Sequence, residues 1–351
     1  MAKSATHDSN NQQYAPSWID RFTAWIGRLP GPCWSYFLGL WLALLLVQTI
    51  VSWVEGSFPV GTLNPVQVFM SGVIAFFLAL FYYLDERAGA ALAILRPALT
   101  ASESKYQDLH FRLTTLPSRP AILASLVMLA TALLAELINE PYFPEALASF
   151  PTSANLFRII YLIAWCLFGA FMYHTIRQLR LINHIYTRYT RINLFQMKPL
   201  YAFSNLSAIT AGSLAIIIYG FLIVNPNMDT SDPAILIWVF VFLITAFVTF
   251  IWPQLGIHRL QIAEKDRLLE EANQHFEATI VELHQRVDDG KLEGMMDLNM
   301  AIASLQMELK ILNEIPTWPW VPETVRWLAT ALLLPLGLWL IQVFLQGMLS
   351  P

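Results

Sequence analysis

Seven stretches of this chain are apolar for about the twenty residues a helix needs to cross a hydrocarbon layer. They are residues 34–54, 66–84, 121–138, 156–173, 207–224, 234–252 and 325–348. Nothing else in the sequence limits the fold so severely. Backbone in lipid has no water to bond, so each stretch must pair its own N–H and C=O groups, as a helix does. Composition agrees. Only 13% of the 351 residues are charged, against the roughly 25% of soluble domains, which is too little to build a water-exposed skin. The expected fold class is an all-α polytopic membrane protein with seven transmembrane helices. A mild net charge of −4 gives no basic surface for nucleic acid.

Lys and Arg in the connecting loops set the orientation. Lys3, Arg21 and Arg28 precede span one. Arg87, Arg96, Lys105, Arg112 and Arg119 lie between spans two and three, and Arg177, Arg180, Arg188, Arg191 and Lys198 between spans four and five. The other loops carry Glu55, Glu140, Glu145, Asp229 and Asp232, with Arg158 as the counterweight. The N-terminus is therefore expected in the cytoplasm and the C-terminus outside a cell membrane. This reverses rhodopsin-type receptors, and span seven has no lysine to carry retinal.

Residues 1–16 are polar, without the apolar region of a signal peptide, and read as a disordered tail. In 17–30, Trp18, Ile19, Phe22, Trp25, Ile26 and Leu29 share a helical face. That face suits the membrane interface or the protein's own bundle. Residues 31–252 then form a six-helix membrane region with cytoplasmic helical loops. In the first of these, Thr100 and Glu103 have capping-box spacing, followed by Leu109, Leu113 and Leu116. Span four meets no breaker before Pro199, so its helix is expected to run on. It carries Arg177, Arg180, His184, Arg188 and Arg191 as one basic stripe. The stripe could bind anionic lipid or an acidic ligand; pairing with the protein's own acidic helix is the preferred reading.

That acidic helix lies in 253–315, expected to be a cytoplasmic hairpin. Leu269, Ala272, Phe276, Ile280, Leu283 and Val287 repeat at three and four, and Asp288-Asp289-Gly290 breaks the run. Met295, Leu298, Ile302, Leu305, Leu309 and Leu312 then continue the alternation of a coiled-coil seam. From Arg259 to Glu314 there are twelve acids and six bases. The outgoing arm, 253–288, is about 54 Å long and the returning arm, 292–314, about 35 Å. Extended chain at Pro316, Pro319 and Pro322, adding about 3.1 Å per residue, makes up the difference. Residues 316–324 are thus a Pro/Trp-rich spacer, and 325–351 the seventh transmembrane helix.

Chemistry is sparse. No HExxH, Walker loop or GxGxxG is present, and the two cysteines, Cys33 and Cys166, form no CxxC. No catalytic residue, metal or cofactor is expected, and the chain is not read as an enzyme. His174 and His184, like His275 and His284, lack metal-ligand spacing and read as packed or solvated. Glu136 lies near the outer end of span three with Glu140 at i+4. It is a functional candidate by its depth, although it can also snorkel to water. Ser204, Ala208, Ala211, Gly212 and Ala215 in span five have the small-residue spacing that lets helices approach. Gln342 and Gln346 in span seven share a face with Leu338. They can line a wet pathway or bond to a neighbouring helix.

The layout resembles the seven-transmembrane ion-channel superfamily that includes insect odorant and gustatory receptors. The resemblance rests on seven spans with an inner N-terminus, on the extensions "RQLRLINHIYTRYTRINLF" and "IWPQLGIHRLQ", and on the helix "MMDLNMAIASLQMELKIL" before the last span. It implies a tetramer anchored through the cytoplasmic extensions, with the last span lining the pore. The expected function is an oligomeric, cation-preferring ion channel open to ligand gating. Gln342 and Gln346 would line its pore, Leu338 would gate it, and Glu55, Glu136, Glu140, Asp229 and Asp232 would form an acidic outer mouth. The alternative is a non-conducting scaffold or signalling component whose hairpin docks a soluble partner, and a small-molecule transporter comes third. The expected partners are the lipid bilayer, further copies of the chain and, on the alternative reading, that cytoplasmic protein.

Overall fold

Ser17 starts the first helix by a capping box: its Oγ accepts from the N–H of Asp20, whose carboxylate accepts from the N–H of Ser17. The computed structural model describes residues 14–138, 147–225, 233–291 and 293–320, together with 323, 325–330, 333 and 337. Within them run α1 (Trp18–Ile26), α2 (Cys33–Glu55), α3 (Pro65–Leu95), α4 (Glu103–Thr114), α5 (Ser118–Ile138), α6 (Pro151–Tyr189), α7 (Ser204–Val224), α8 (Pro233–Asp288) and α9 (Met295–Glu314). Extended pairing among the described residues is limited to isolated bridges, such as Leu99 with Thr190. Six of the helices, α2, α3, α5, α6, α7 and α8, are long and apolar enough to cross a membrane. The chain is an all-α polytopic membrane protein.

Helices α3, α6, α7 and α8 pack on one another; α2 lies against α3 and α6, and α5 against α6. Small residues set the distances. A Cβ on Gly169 of α6 would come within 2.5 Å of the Ala124 carbonyl of α5, so this crossing requires glycine. In α7, Ser204, Ala208, Ala211 and Ala215 are at most 2% exposed, as their spacing predicted. Buried amides add interhelical bonds: Gln48 Nε2 donates to Ser71 Oγ at 2.6 Å and Gln67 Nε2 to Ser52 Oγ at 2.9 Å. Such pairs hold helices where lipid offers no hydrophobic driving force.

Two expectations are corrected, on the cap of α4 and the end of α6, and two take definite form. Helix α1 buries Ile19, Thr23 and Ile26 against α3 and leaves Trp18 and Trp25 exposed, so its apolar face divides between bundle and surroundings. The cap of α4 is Ser102 rather than Thr100, whose N–H and hydroxyl instead donate to the Tyr189 carbonyl. That same contact, with Arg191 N–H donating to the Ala98 carbonyl, ends α6 at Tyr189, well before Pro199. Finally, α8 passes through Pro253 without a break, so span six and the outgoing arm are one helix of 56 residues. Proline costs that helix one backbone donor but does not divide the chain at residue 253.

Helix α9 returns antiparallel along α8. Arg286 donates to the Glu293 carbonyl, and Lys265 to those of Asn313 and Ile315. The seam is the predicted one on α9: Leu298 and Leu312 are buried, while Met295, Ile302, Leu305 and Leu309 are half-buried. On α8, Val287 leaves it, at 54% exposed, because the turn turns Arg286 inward instead. The spacer then follows α8 back. Asn313 lies by Lys265, Thr317 by His258 (2.8 Å) and Trp320 by Phe250. The non-helical residues after Glu314 thus run back along α8 from Lys265 to Phe250, and Trp318 stacks on both Trp320 and His258. With cysteines at Leu283 and Leu298, a short thiol crosslinker is expected to join α8 to α9 within one chain; dimers as the sole product would contradict this hairpin.

Candidate functional site

The four central helices leave a gap at the end of the bundle where α3 and α6 begin and α7 ends. It is a cavity of roughly 270 Å³, close to the lower limit of small-molecule sites, about 300 Å³. Helical spacing brings its walls together. Phe69, Met70, Val73 and Phe77 come from α3, and Tyr161, Ala164, Trp165 and Phe168 from α6. Helix α7 adds Ile217, Ile218 and Phe221, and α8 adds Val239 and Phe242. Phe168 stacks on Phe242 at 5.3 Å and meets Trp165 edge-on at 5.8 Å. On one side, a Cβ on Gly220 would come within 2.5 Å of the Phe69 ring, so that glycine lets Phe69 lie flat on α7.

Deeper in the bundle, Phe77, Phe81 and Phe171 close the cavity with ring centroids 5.4–5.9 Å apart. All three are at most 1% exposed. The wall has polar atoms only at its aromatic edges, the Tyr161 hydroxyl and the Trp165 N–H, and these two rings meet at 6.0 Å. Among the described residues no acid, base or nucleophile lines it, and they hold no group of three metal-ligating side chains. The chemistry available is recognition of a small apolar or aromatic molecule.

The predicted site residues are placed differently. The Glu136 side chain is 7% exposed and held by Arg158 through a bidentate contact, Nη2 donating to Oε2 at 2.6 Å and Nε to Oε1 at 3.2 Å. Glu55 accepts the N–H groups of Thr152 and Ser153 at 2.9 and 2.6 Å, acting as a cap supplied by α2 to the start of α6. Both acids thus have partners within the bundle. Glu140, Asp229, Asp232, Leu338, Gln342 and Gln346 lie outside the described residues. The basic stripe is also corrected. Arg177 donates to the Thr115 carbonyl and the Tyr14 hydroxyl. Arg180 and Arg188 are exposed and make no ion pair among the described residues. Arg191 alone of the stripe is near enough to an acid of α8, Glu264, to act on its charge. The hairpin acids pair instead within α8, as in Glu264–Arg267–Glu271 and Glu282–Arg286. Neighbours four residues apart on one helix meet more easily than residues on two.

No protein-family model, curated protein or solved structure matches the chain. The cavity was missed because its aromatic rows read as ordinary core; 161, 164, 165 and 168 are spaced like any buried helix face, and a void has no signature in one helix. Because Glu136 is desolvated, losing its partner should cost more than losing its charge. Arg158→Gln is expected to lower the melting temperature of the purified protein more than Glu136→Gln, and adding Glu136→Gln to Arg158→Gln should restore part of the loss.

Proposed function

We propose that this chain is an oligomeric, cation-preferring channel with seven spans and a cytoplasmic N-terminus, gated by a small apolar or aromatic molecule held in the cavity of α3, α6, α7 and α8. The observation that carries this reading is the cavity itself: an apolar, aromatic-walled, partly open space in the helix bundle, bounded toward the other end by three phenylalanines. Close-packed interiors have few voids larger than a water molecule, and a void of this size lined by rings takes up apolar guests.

The approach of the last span supports a role at an oligomer axis. A Cβ on Gly212 of α7 would come within 2.8 Å of Trp327, and Leu328 is 4% exposed within the core. The last segment thus packs on α7 through Trp327, which keeps 53% of its surface exposed, and Leu333 is 64% exposed. An exposed face on a peripheral helix is what a pore between copies requires. Arg and Lys on the α3–α4 and α6–α7 connections support the inward placing of those loops. The docking scaffold remains the second reading, favoured by a row on α9: Met296, Met300, Met307 and Ile311 are 48–73% exposed, and flexible methionine surfaces suit protein partners.

In planar bilayers the protein is expected to pass cations when a small aromatic probe such as indole is added. Ala164→Phe fills the cavity and should weaken indole binding at least about tenfold, or about 1.4 kcal/mol. Gln342→Glu should raise cation preference and Gln342→Leu reduce current, since a pore wall needs polar groups to hold water and ions. Indole binding by folded oligomers that carry no current would leave the cavity as a site and sink the channel.

A further inference from the structure

At the other end of α3 and α6, beyond the phenylalanine layer, a polar pair lies inside the protein. His174 is 1% exposed, and its Nε2 is 3.5 Å from Asp85 Oδ1. That distance is too long for a good hydrogen bond. Neither ring nitrogen, nor this oxygen, has a partner among the described residues. On its apolar side His174 meets Phe81 edge-on at 5.3 Å. Asp85 is 16% exposed and lines a second cavity, roughly 880 Å³, which reaches the surface past exposed Arg28, Glu86 and His110. Asp85 therefore stands between His174 and water.

The surrounding charges leave the pair with one negative charge too many. From α1, Asp20 faces Asp85, with its carboxylate fixed by the N–H groups of Ser17 and Leu116. Burial pushes the Asp20 carboxyl up against the pull of those two donors. From α6, Arg177 acts on Asp20, Asp85 and His174 together, and it is held by Thr115 and Tyr14. Arg21 and Arg28 of α1, Tyr82 and Glu86 of α3 and His110 of α4 stand around the cavity. Helix α7, also packed on α3, has no Asp, Glu, Lys, Arg or His. Arg21, Arg28 and Glu86 are exposed at the surface; within the inner cluster, two carboxylates, one guanidinium and a neutral imidazole sum to −1, and one proton brings that sum to zero.

We propose that Asp85 and His174 form an internal proton-binding site loaded through the second cavity. The proton resides on Asp85, and its O–H donates to the Nε2 lone pair of His174; on release it returns to the cavity and Asp85 becomes the carboxylate. Asp85 carries the charge, rather than His174, because it is the member that touches the cavity. Asp20 and Arg177 tie the same cluster to α1 and to the α4–α5 junction, so loading changes the field that holds the N-terminal segment on the bundle. The site does not depend on the channel reading.

Infrared difference spectroscopy on the full-length protein in lipid nanodiscs tests this, between about pH 5 and 8, where an unperturbed aspartate does not titrate. In protein labelled with ¹³C-aspartate, one carboxylic-acid C=O band with the isotope shift is expected to appear on acidification. Asp85→Asn should remove it, Asp20→Asn should keep it, and His174→Gln should move its frequency by changing the acceptor. The proposal is overturned by the absence of any labelled band in the unsubstituted protein. It is overturned equally by a band that survives Asp85→Asn, or by one lost with Asp20→Asn in a protein that still elutes as a single folded species.

Discussion

The rest of this structure depends on how closely its membrane helices approach. Lipid tails solvate leucine as well as another helix does, so burial of apolar side chains gives membrane helices little reason to associate. Packing and interhelical hydrogen bonds must do it. Here glycines stand where two helices, or a helix and a ring, meet at the shortest distances: Gly169 under the Ala124 carbonyl, Gly212 under Trp327 and Gly220 under Phe69. The small side chains of α7 let it sit deep in the bundle. Where large rings face one another instead, between the first halves of α3 and α6, contact is incomplete and the aromatic cavity remains.

The bundle is chemically divided along its length. One end holds a cavity walled by rings, and the other a cavity walled by charges. Phe77, Phe81 and Phe171 separate them. The division gives each end its own chemistry. A molecule that fits among Phe69, Trp165 and Phe168 has nothing to offer Asp85, and water that reaches Asp85 meets three buried rings before the aromatic cavity. The polar end also anchors the N-terminal segment. Asp20 of α1 and Arg177 of α6 reach across to Leu116 and Thr115, so the start of the chain, the α4–α5 junction and α6 share one hydrogen-bonded cluster.

Much of the fold could be read from periodicity. The first six apolar stretches correspond to six helices, and the α9 seam falls on the predicted residues, because 3.6-residue spacing is a property of one segment alone. The length mismatch of the hairpin likewise called for a spacer, and after α9 ends at Glu314 the non-helical residues 315–320 follow α8 back. What the sequence did not disclose were choices made between segments. Thr100 has good capping-box spacing, yet it serves Tyr189 because the chain after α6 comes back to pair there. Glu55 and Glu136 read as exposed acids, since their partners lie about a hundred and twenty-two residues away respectively. Asp85 is unremarkable in sequence. Its isolation with His174 becomes visible only when α3 and α6 are side by side.

Helix α8 touches both halves of the proposed function. Its first turns supply Val239 and Phe242 to the aromatic cavity, and the same helix later carries His258 and Lys265, which hold the segment leading to the last span. No loop interrupts it, so movement at the cavity wall cannot be absorbed in a flexible joint. Pro253 is where it can bend, because proline removes a backbone bond and kinks have identifiable causes of that kind. A bend of about 5° there displaces His258, about 8 Å farther on, by less than 1 Å, and the helix end at Asp288, about 52 Å away, by between 4 and 5 Å, taking about 1.5 Å per residue. The spacer is tied to α8 by the stacking of Trp318 on His258 and of Trp320 on Phe250, so it follows the change. A guest that pushes on Phe242 would thereby draw on Trp318 and Trp320, and through them on the start of the last span. Within the channel reading, the stiff spacer is the link between ligand and pore, and the extended hairpin beyond it amplifies the same bend for whatever contacts its tip.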